Sequence, residues 1–189
     1  MKILKIKRNK IYFENGLELS VGKTTMLLFE LSEGKEISDS EYKELIFEVA
    51  KNRAFYLLAR TSKGKEELKR NLIRKFQNPD VIDKVIEMLE ENRYLDDYDY
   101  IKNFVFSKKY GKSRVLYELG MKGISRELIK DFYENENIDE KVFIEKYIPK
   151  IKGKSLEKAY SFFSRRGFVF EDIKDVFRSH KIGDDDDYS

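Results

Sequence analysis

At 189 residues, with 41% hydrophobic and 39% charged side chains, the chain can bury a core beneath a densely charged surface and is long enough for one large or two small domains. It has no cysteine and a single histidine, His180, which excludes a disulfide framework, thiolate metal sites and histidine-based metal centres or triads. The net charge is +3, but four aspartates in Asp184–Asp187 hide a body of +7 over the first 182 residues, a charge that suits a phosphate backbone or a heat-tolerant solvated surface. No apolar run nears the ~20 residues of a membrane span. The start, Met1-Lys2-Ile3-Leu4-Lys5, lacks a signal-peptide pattern, so a cytoplasmic monomer without metal or cofactor is expected.

In chain order, Ile3–Lys7, Lys10–Phe13 and Leu17–Val21 are β-prone, and Asn15-Gly16 marks a turn, so residues 1–40 predict a β hairpin or three-stranded meander with a short helix over Thr25–Leu31. From Glu41 the periodicity is helical. Leu45, Val49, Phe55 or Tyr56, and Leu58 or Ala59 form one apolar face, Leu68 and Leu72 mark a second helix, and Asn78-Pro79-Asp80 opens a third. Asp96 and Asp97 cap the next group, where Lys112–Lys122 is a helix stopped by Gly123, and Ser125 caps its successor. The last group is predicted as Lys141–Ile151, Gly153–Arg166 with Gly167 as stop, and Phe168 to about His180.

A short pattern recurs three times: Leu72 to Gln77, Leu119 to Ile124 and Phe163 to Phe168. Each copy has an apolar residue, a base three positions on (Lys75, Lys122, Arg166) and an isoleucine seven beyond that base (Ile82, Ile129, Ile173). The copies lie 47 and 44 residues apart, the period of a small helical module. The fold class is therefore mainly α, with tandem three-helix repeats over 41–95, 96–137 and 138–181, a β-rich leader over 1–40 and an acidic, disordered tail over 182–189. Modules this small bury too little alone and are expected to stack into an elongated, curved array.

Three Gly-Lys-Ser/Thr tripeptides, at Gly22, Gly111 and Gly153, lack the upstream glycine of a phosphate-binding loop: Leu17, Phe106 and Ile148 stand there. Asp96, Asp97 and Asp99 could hold Mg²⁺, yet aspartates before an apolar-periodic run read as helix caps. No catalytic constellation emerges, and the chain is not expected to be an enzyme. The candidate contact residues are bases at helix ends and outer faces: Arg60, Lys63, Lys65, Arg70, Arg74, Lys75, Lys108, Lys109, Lys112, Arg114, Lys122, Arg126, Lys152, Lys154, Lys158, Arg165 and Arg166. Only their recurrence at equivalent module positions raises them above ordinary solvation. In register they would form a stripe for a phosphate backbone or an acidic groove.

The run Ala54-Phe55-Tyr56-Leu57-Leu58-Ala59-Arg60-Thr61-Ser62-Lys63-Gly64-Lys65-Glu66-Glu67-Leu68 resembles the RecX family, regulators of the RecA recombinase. The likeness continues through Tyr94-Leu95-Asp96-Asp97, Phe104-Val105, Gly111-Lys112-Ser113-Arg114, Glu118-Leu119-Gly120-Met121-Lys122-Gly123-Ile124 and Arg165-Arg166-Gly167-Phe168 with Ile173. It covers about residues 41 to 178. It implies tandem three-helix repeats that lie in the groove of the RecA–single-stranded-DNA filament and impede its growth. It further implies inhibition of ATP hydrolysis and strand exchange, and a place in the regulation of repair, recombination and the SOS response, with no catalysis of its own. Phe76-Gln77 departs from the usual Gly-aromatic pair, so the middle turn of the first module is expected to differ. The alternative is a stand-alone basic nucleic-acid-binding protein with no recombinase partner.

Overall fold

The computed structural model describes residues 1–183; the tail from Asp184 onward lies outside the described residues. The described chain is mainly helical, preceded by a small antiparallel sheet, and divides into two compact units, Met1–Asp96 and the chain from Asp97 on. Among the described residues no helix is long and apolar enough to cross a membrane.

In the first unit, β1 (Ile3–Lys7), β2 (Lys10–Phe13) and β3 (Glu18–Ser20) form a meander in that order. Alternation in β2 sends Ile11 and Phe13 inward, while Ile11 pairs with Ile6 and Leu19 across the sheet. Gly16, at φ 83°, supplies the left-handed turn that Asn15-Gly16 announced. Helix α1 (Lys23–Leu28) is shorter and earlier than predicted, because Glu30 turns left-handed at φ 48° and the chain leaves the helix.

Ser38 is the N-cap of α2 (Asp39–Arg60): its hydroxyl accepts from the Glu41 amide, and the Glu41 carboxylate accepts from the Ser38 amide. The buried face of α2 is Leu45, Ile46, Val49, Ala50 and Ala54, with Phe55 half-buried and Tyr56 exposed. Its alanines let a neighbouring helix approach closely. α3 (Lys65–Phe76) and α4 (Pro79–Glu91) pack with α2, and Asn78 caps α4 just before Pro79. These helices and the sheet share one core, in which Phe13 meets Tyr42 edge-on at 5.7 Å.

In the second unit, α5 (Asp97–Lys108) and α6 (Lys112–Lys122) pack on α7 (Arg126–Asn135). α8 (Lys141–Glu145) and α10 (Leu156–Ser164) pack on α11 (Phe170–Ser179). The single helix predicted over Lys141–Ile151 is two, α8 and α9 (Ile148–Ile151). Pro149 lacks the amide that would bond back to Glu145, so the helix restarts instead of continuing. α10 begins after Ser155, which caps it, because Gly153 turns left-handed at φ 76°.

The recurring pattern is a core device. Leu72, Leu119 and Phe163 are fully buried, as are Ile82, Ile129 and Ile173 beyond each turn. Burying each such side chain is worth about 1.5–3 kcal/mol. In the second and third copies the helix ends in a Schellman-type closure: Ile124 N–H donates to the Leu119 carbonyl, Phe168 N–H to the Phe163 carbonyl, and Gly123 (φ 96°) and Gly167 (φ 84°) are left-handed. The first copy differs as the resemblance implied. There Gln77 takes the left-handed position at φ 52°, closes with one bond to the Ile73 carbonyl, and leaves Phe76 in the core.

Candidate functional site

Within the second unit two interhelix turns meet backbone to backbone. Gly111, between α5 and α6, donates its N–H to the Arg166 carbonyl at 2.9 Å. A Cβ on Gly111 would overlap the Gly167 carbonyl, and one on Gly167 would overlap the Arg114 backbone. Only glycine at both positions permits this approach. The Gly-Lys-Ser tripeptide at Gly111 is thus the N-terminal turn of α6, which packs against a neighbouring turn.

Around that seam the cations sit on aromatic rings and carbonyls. The Arg114 guanidinium lies over Tyr110 at 4.7 Å, donates to the Arg165 carbonyl at 2.8 Å and to Glu118 at 3.0 Å. Arg166 lies over Phe162 at 3.6 Å and over Tyr147 at 5.1 Å. Lys150 covers Tyr147 at 5.2 Å, and the Tyr147 hydroxyl donates to the Lys108 carbonyl at 2.9 Å. Each cation–ring contact is worth about 0.5–1 kcal/mol at an exposed site; Arg114 is also paired with Glu118, whereas Arg166 and Lys150 have no carboxylate partner among the described residues. Lys108, Lys150 and Arg165 are exposed beside these rings, so aromatic surface and positive charge lie together on one patch.

Lys112 points away from that use. Its N–H donates to Glu140, and its ammonium lies 5.2 Å over the Tyr133 ring. Burial pushes the Glu140 carboxyl up to about 7 and raises the Tyr133 phenol. Lys112 and Arg114 are therefore first of all seam residues, and charge reversal there would disturb packing as well as any contact.

Lys109 turns left-handed at φ 51°, after the end of α5. Lys122 closes α6, Arg126 is exposed at the start of α7, and Lys152, Lys154 and Lys158 are exposed around the start of α10.

In the first unit the candidate bases have different surroundings. Lys63 pairs with Glu67 at 2.5 Å and Lys65 with Glu90 at 2.9 Å, so both charges are largely cancelled locally. Arg60 donates to the Tyr56 hydroxyl at 2.5 Å, Arg74 donates to Asn71 at 3.1 Å, and Lys75 lies over Phe76 at 5.8 Å. Arg70 is exposed on α3. Sequence reasoning missed Arg53, which stacks on Tyr56 at 5.0 Å. The spacing Arg53, Tyr56, Arg60 puts all three on one helical face and could have signalled it. It also missed Lys150, whose signal is Tyr147 three residues before it.

Asp97 and Asp99 occupy the first turn of α5, where negative charge complements the helix dipole. Among the described residues no group of three or more His, Cys, Asp or Glu is placed to hold a metal ion.

No family model matches the chain. It is similar to the regulatory protein RecX of Streptococcus sanguinis strain SK36, 27% identical over 204 residues that cover 98% of this chain and 79% of the relative. It is similar as well to the proteins of that name from Caldanaerobacter subterraneus subsp. tengcongensis (28% identical, covering 89% and 94%) and Bacillus subtilis strain 168 (28%, covering 96% and 75%). Two solved structures share the fold. A crystal structure of regulatory protein RecX aligns over 92% of this chain with a TM-score of 0.53 and 14% identity. RecX from Lactobacillus salivarius aligns over 72% with a TM-score of 0.58 and 17% identity.

Proposed function

We propose that the chain, similar over most of its length to proteins named regulatory protein RecX, is a non-enzymatic regulator of that kind that binds the RecA–single-stranded-DNA filament and inhibits filament growth, ATP hydrolysis and strand exchange in the cytoplasm. The observation that carries the reading to particular residues is the cation-and-ring patch of the second unit. Arg165, Lys108 and Lys150 present uncancelled charge beside Tyr147 and Phe162, a combination that suits a nucleoprotein surface carrying both phosphates and bases. Electrostatics steers the encounter and the rings fix the register. The three copies of the recurring pattern support the same reading, since each closes in a left-handed turn, at Gln77, Gly123 and Gly167, beside a base.

The test titrates the purified protein against RecA on single-stranded DNA while following ATP hydrolysis and filament length together. Inhibition with shortened filaments is expected. Arg165→Glu combined with Lys108→Glu should weaken inhibition about tenfold while the circular dichroism spectrum stays unchanged; full inhibition by that variant sinks the assignment of this patch. A stand-alone nucleic-acid-binding protein would bind bare strand and filament equally well, with the same salt dependence.

A further inference from the structure

The first unit holds a cationic trough of its own. Two recesses adjoin there. One, of about 380 Å³, is lined by Arg53, Leu57, Lys63, Asn71, Arg74 and Lys75. The other, of about 670 Å³, runs past Thr24, Asn52 and Tyr56, and the two share Arg53 and Lys75. We propose that this trough is a binding site for the phosphodiester backbone of single-stranded nucleic acid, with Arg53, Arg74 and Lys75 as the phosphate-binding residues.

Three observations converge on it. First, α2 contributes Arg53 and α3 contributes Arg74 and Lys75, so two packed helices aim three cations into one concavity. Second, none of the three has an ion-pair partner among the described residues, whereas Lys51, Lys63, Lys65 and Lys69 of the same helices and loop are each paired with a carboxylate. The one carboxylate that lines the recesses, Glu48, is already paired with Lys51 at 2.5 Å, so the three cations repel one another and an incoming phosphate relieves that repulsion. Third, Tyr56 is 48% exposed at the trough edge and carries the Arg53 and Arg60 guanidiniums against its ring, which gives a base a flat polar surface to stack on.

The shape selects among anions. Both recesses are open to solvent, and Arg53 and Lys75 stand where they join, so a chain can pass through while a small ligand would be poorly enclosed. Leu57 is the only apolar side chain in the smaller recess, too little for the enclosed slot of a free nucleotide base. An acidic peptide would find charge there but would make no use of the Tyr56 edge.

The experiment measures the full-length chain binding a fluorescein-labelled oligothymidylate by anisotropy between about 50 and about 200 mM salt. Arg53→Glu with Lys75→Glu should weaken binding at least tenfold and flatten the salt slope by roughly 0.7 per lost phosphate contact. Lys43→Glu with Lys84→Glu changes net charge equally on exposed positions outside the trough and should cost far less. Equal losses in the two pairs would reduce the effect to net charge and overturn the site, as would unchanged affinity in the first pair. Pyrophosphate or oligoglutamate held as tightly as the oligonucleotide overturns the choice of ligand. Arg53→Gln with Lys75→Gln, which keeps neutral side chains of similar reach, carries the test should charge reversal lower the melting temperature. The titration contains no recombinase, so it can fail while the regulatory reading stands, and a RecA assay can fail while this site stands.

Discussion

The two units use the same kind of recurring sequence turn in different ways. In the first, the α3–α4 turn closes on itself: Gln77 bonds back to Ile73, Asn78 caps α4, and Phe76 fills the core. In the second, the α10–α11 turn closes and is then covered by the Gly111 turn, with Arg114 and Arg166 clamped between rings and carbonyls. A left-handed residue is required in both, yet only the covered turn also needs the absence of a side chain. A recurring motif therefore fixes backbone shape, and the surroundings decide whether glycine is obligatory.

The largest effect should come from the part that both units share. Phe163→Ala removes a fully buried ring packed against Phe168 and Phe177 and should destabilise the second unit by about 3–5 kcal/mol, read from urea denaturation. Leu72→Ala is the counterpart in the first unit, at about 2–5 kcal/mol. A loss below about 1 kcal/mol at either site would mean that the anchor residue is not the core device described.

The glycine comparison comes next. Gly167→Ala combines a positive φ with overlap against the Arg114 backbone and should cost about 2–4 kcal/mol. Gln77→Gly should instead be neutral or stabilising by up to about 1 kcal/mol, because glycine adopts φ 52° without strain. Gly120→Ala, inside α6 with open space around it, should stabilise by roughly 0.5–1 kcal/mol. Equal costs at positions 167 and 120 would remove the distinction between a covered turn and an open helix.

These outcomes bear on what the sequence could disclose. Local chemistry was legible: Asn15-Gly16, Asn78-Pro79, Ser125 and the Lys112–Lys122 helix follow from turn, cap and periodicity rules acting over a few residues. The Gly111–Gly167 contact was not, because the sequence shows that a glycine is present and never which distant backbone approaches it. The same limit governs the candidate contacts. Lys63 and Arg165 look alike as bases near helix ends, but Glu67 cancels the first and no carboxylate pairs with the second among the described residues. Arg53 escaped notice because its relevance depends on Arg74 and Lys75 arriving from another helix.

A cap separates the two turns further. Ser125→Ala removes the acceptor for the Leu128 amide, and Asn78→Ala removes that for Val81; each should cost about 1 kcal/mol. Because Pro79 already presets the first turn of α4, Asn78→Gly should recover most of the loss there. Failure of either alanine variant to lower the urea midpoint would show that water replaces the cap without loss.

The smallest effect is a pH dependence that only the second unit should show. Burial raises the Glu140 carboxyl from its ordinary range to about 7, against the opposing pull of the Lys112 amide and ammonium, while Asp172 and Asp139 add to the rise. The folded unit thus holds this proton more tightly than the unfolded chain does. Its contribution to stability is complete below about pH 4.5 and is lost as pH climbs through 7. Partial solvent exposure keeps the swing to about 1 kcal/mol or less. Glu140→Gln retains an oxygen to accept the Lys112 N–H and removes the titration, so its urea midpoint should vary less than wild type between pH 5 and pH 8 and lie higher at the upper end. Parallel profiles for the two proteins would show that the carboxylate is already solvated when charged, and that its bond to the Lys112 N–H does not depend on its protonation.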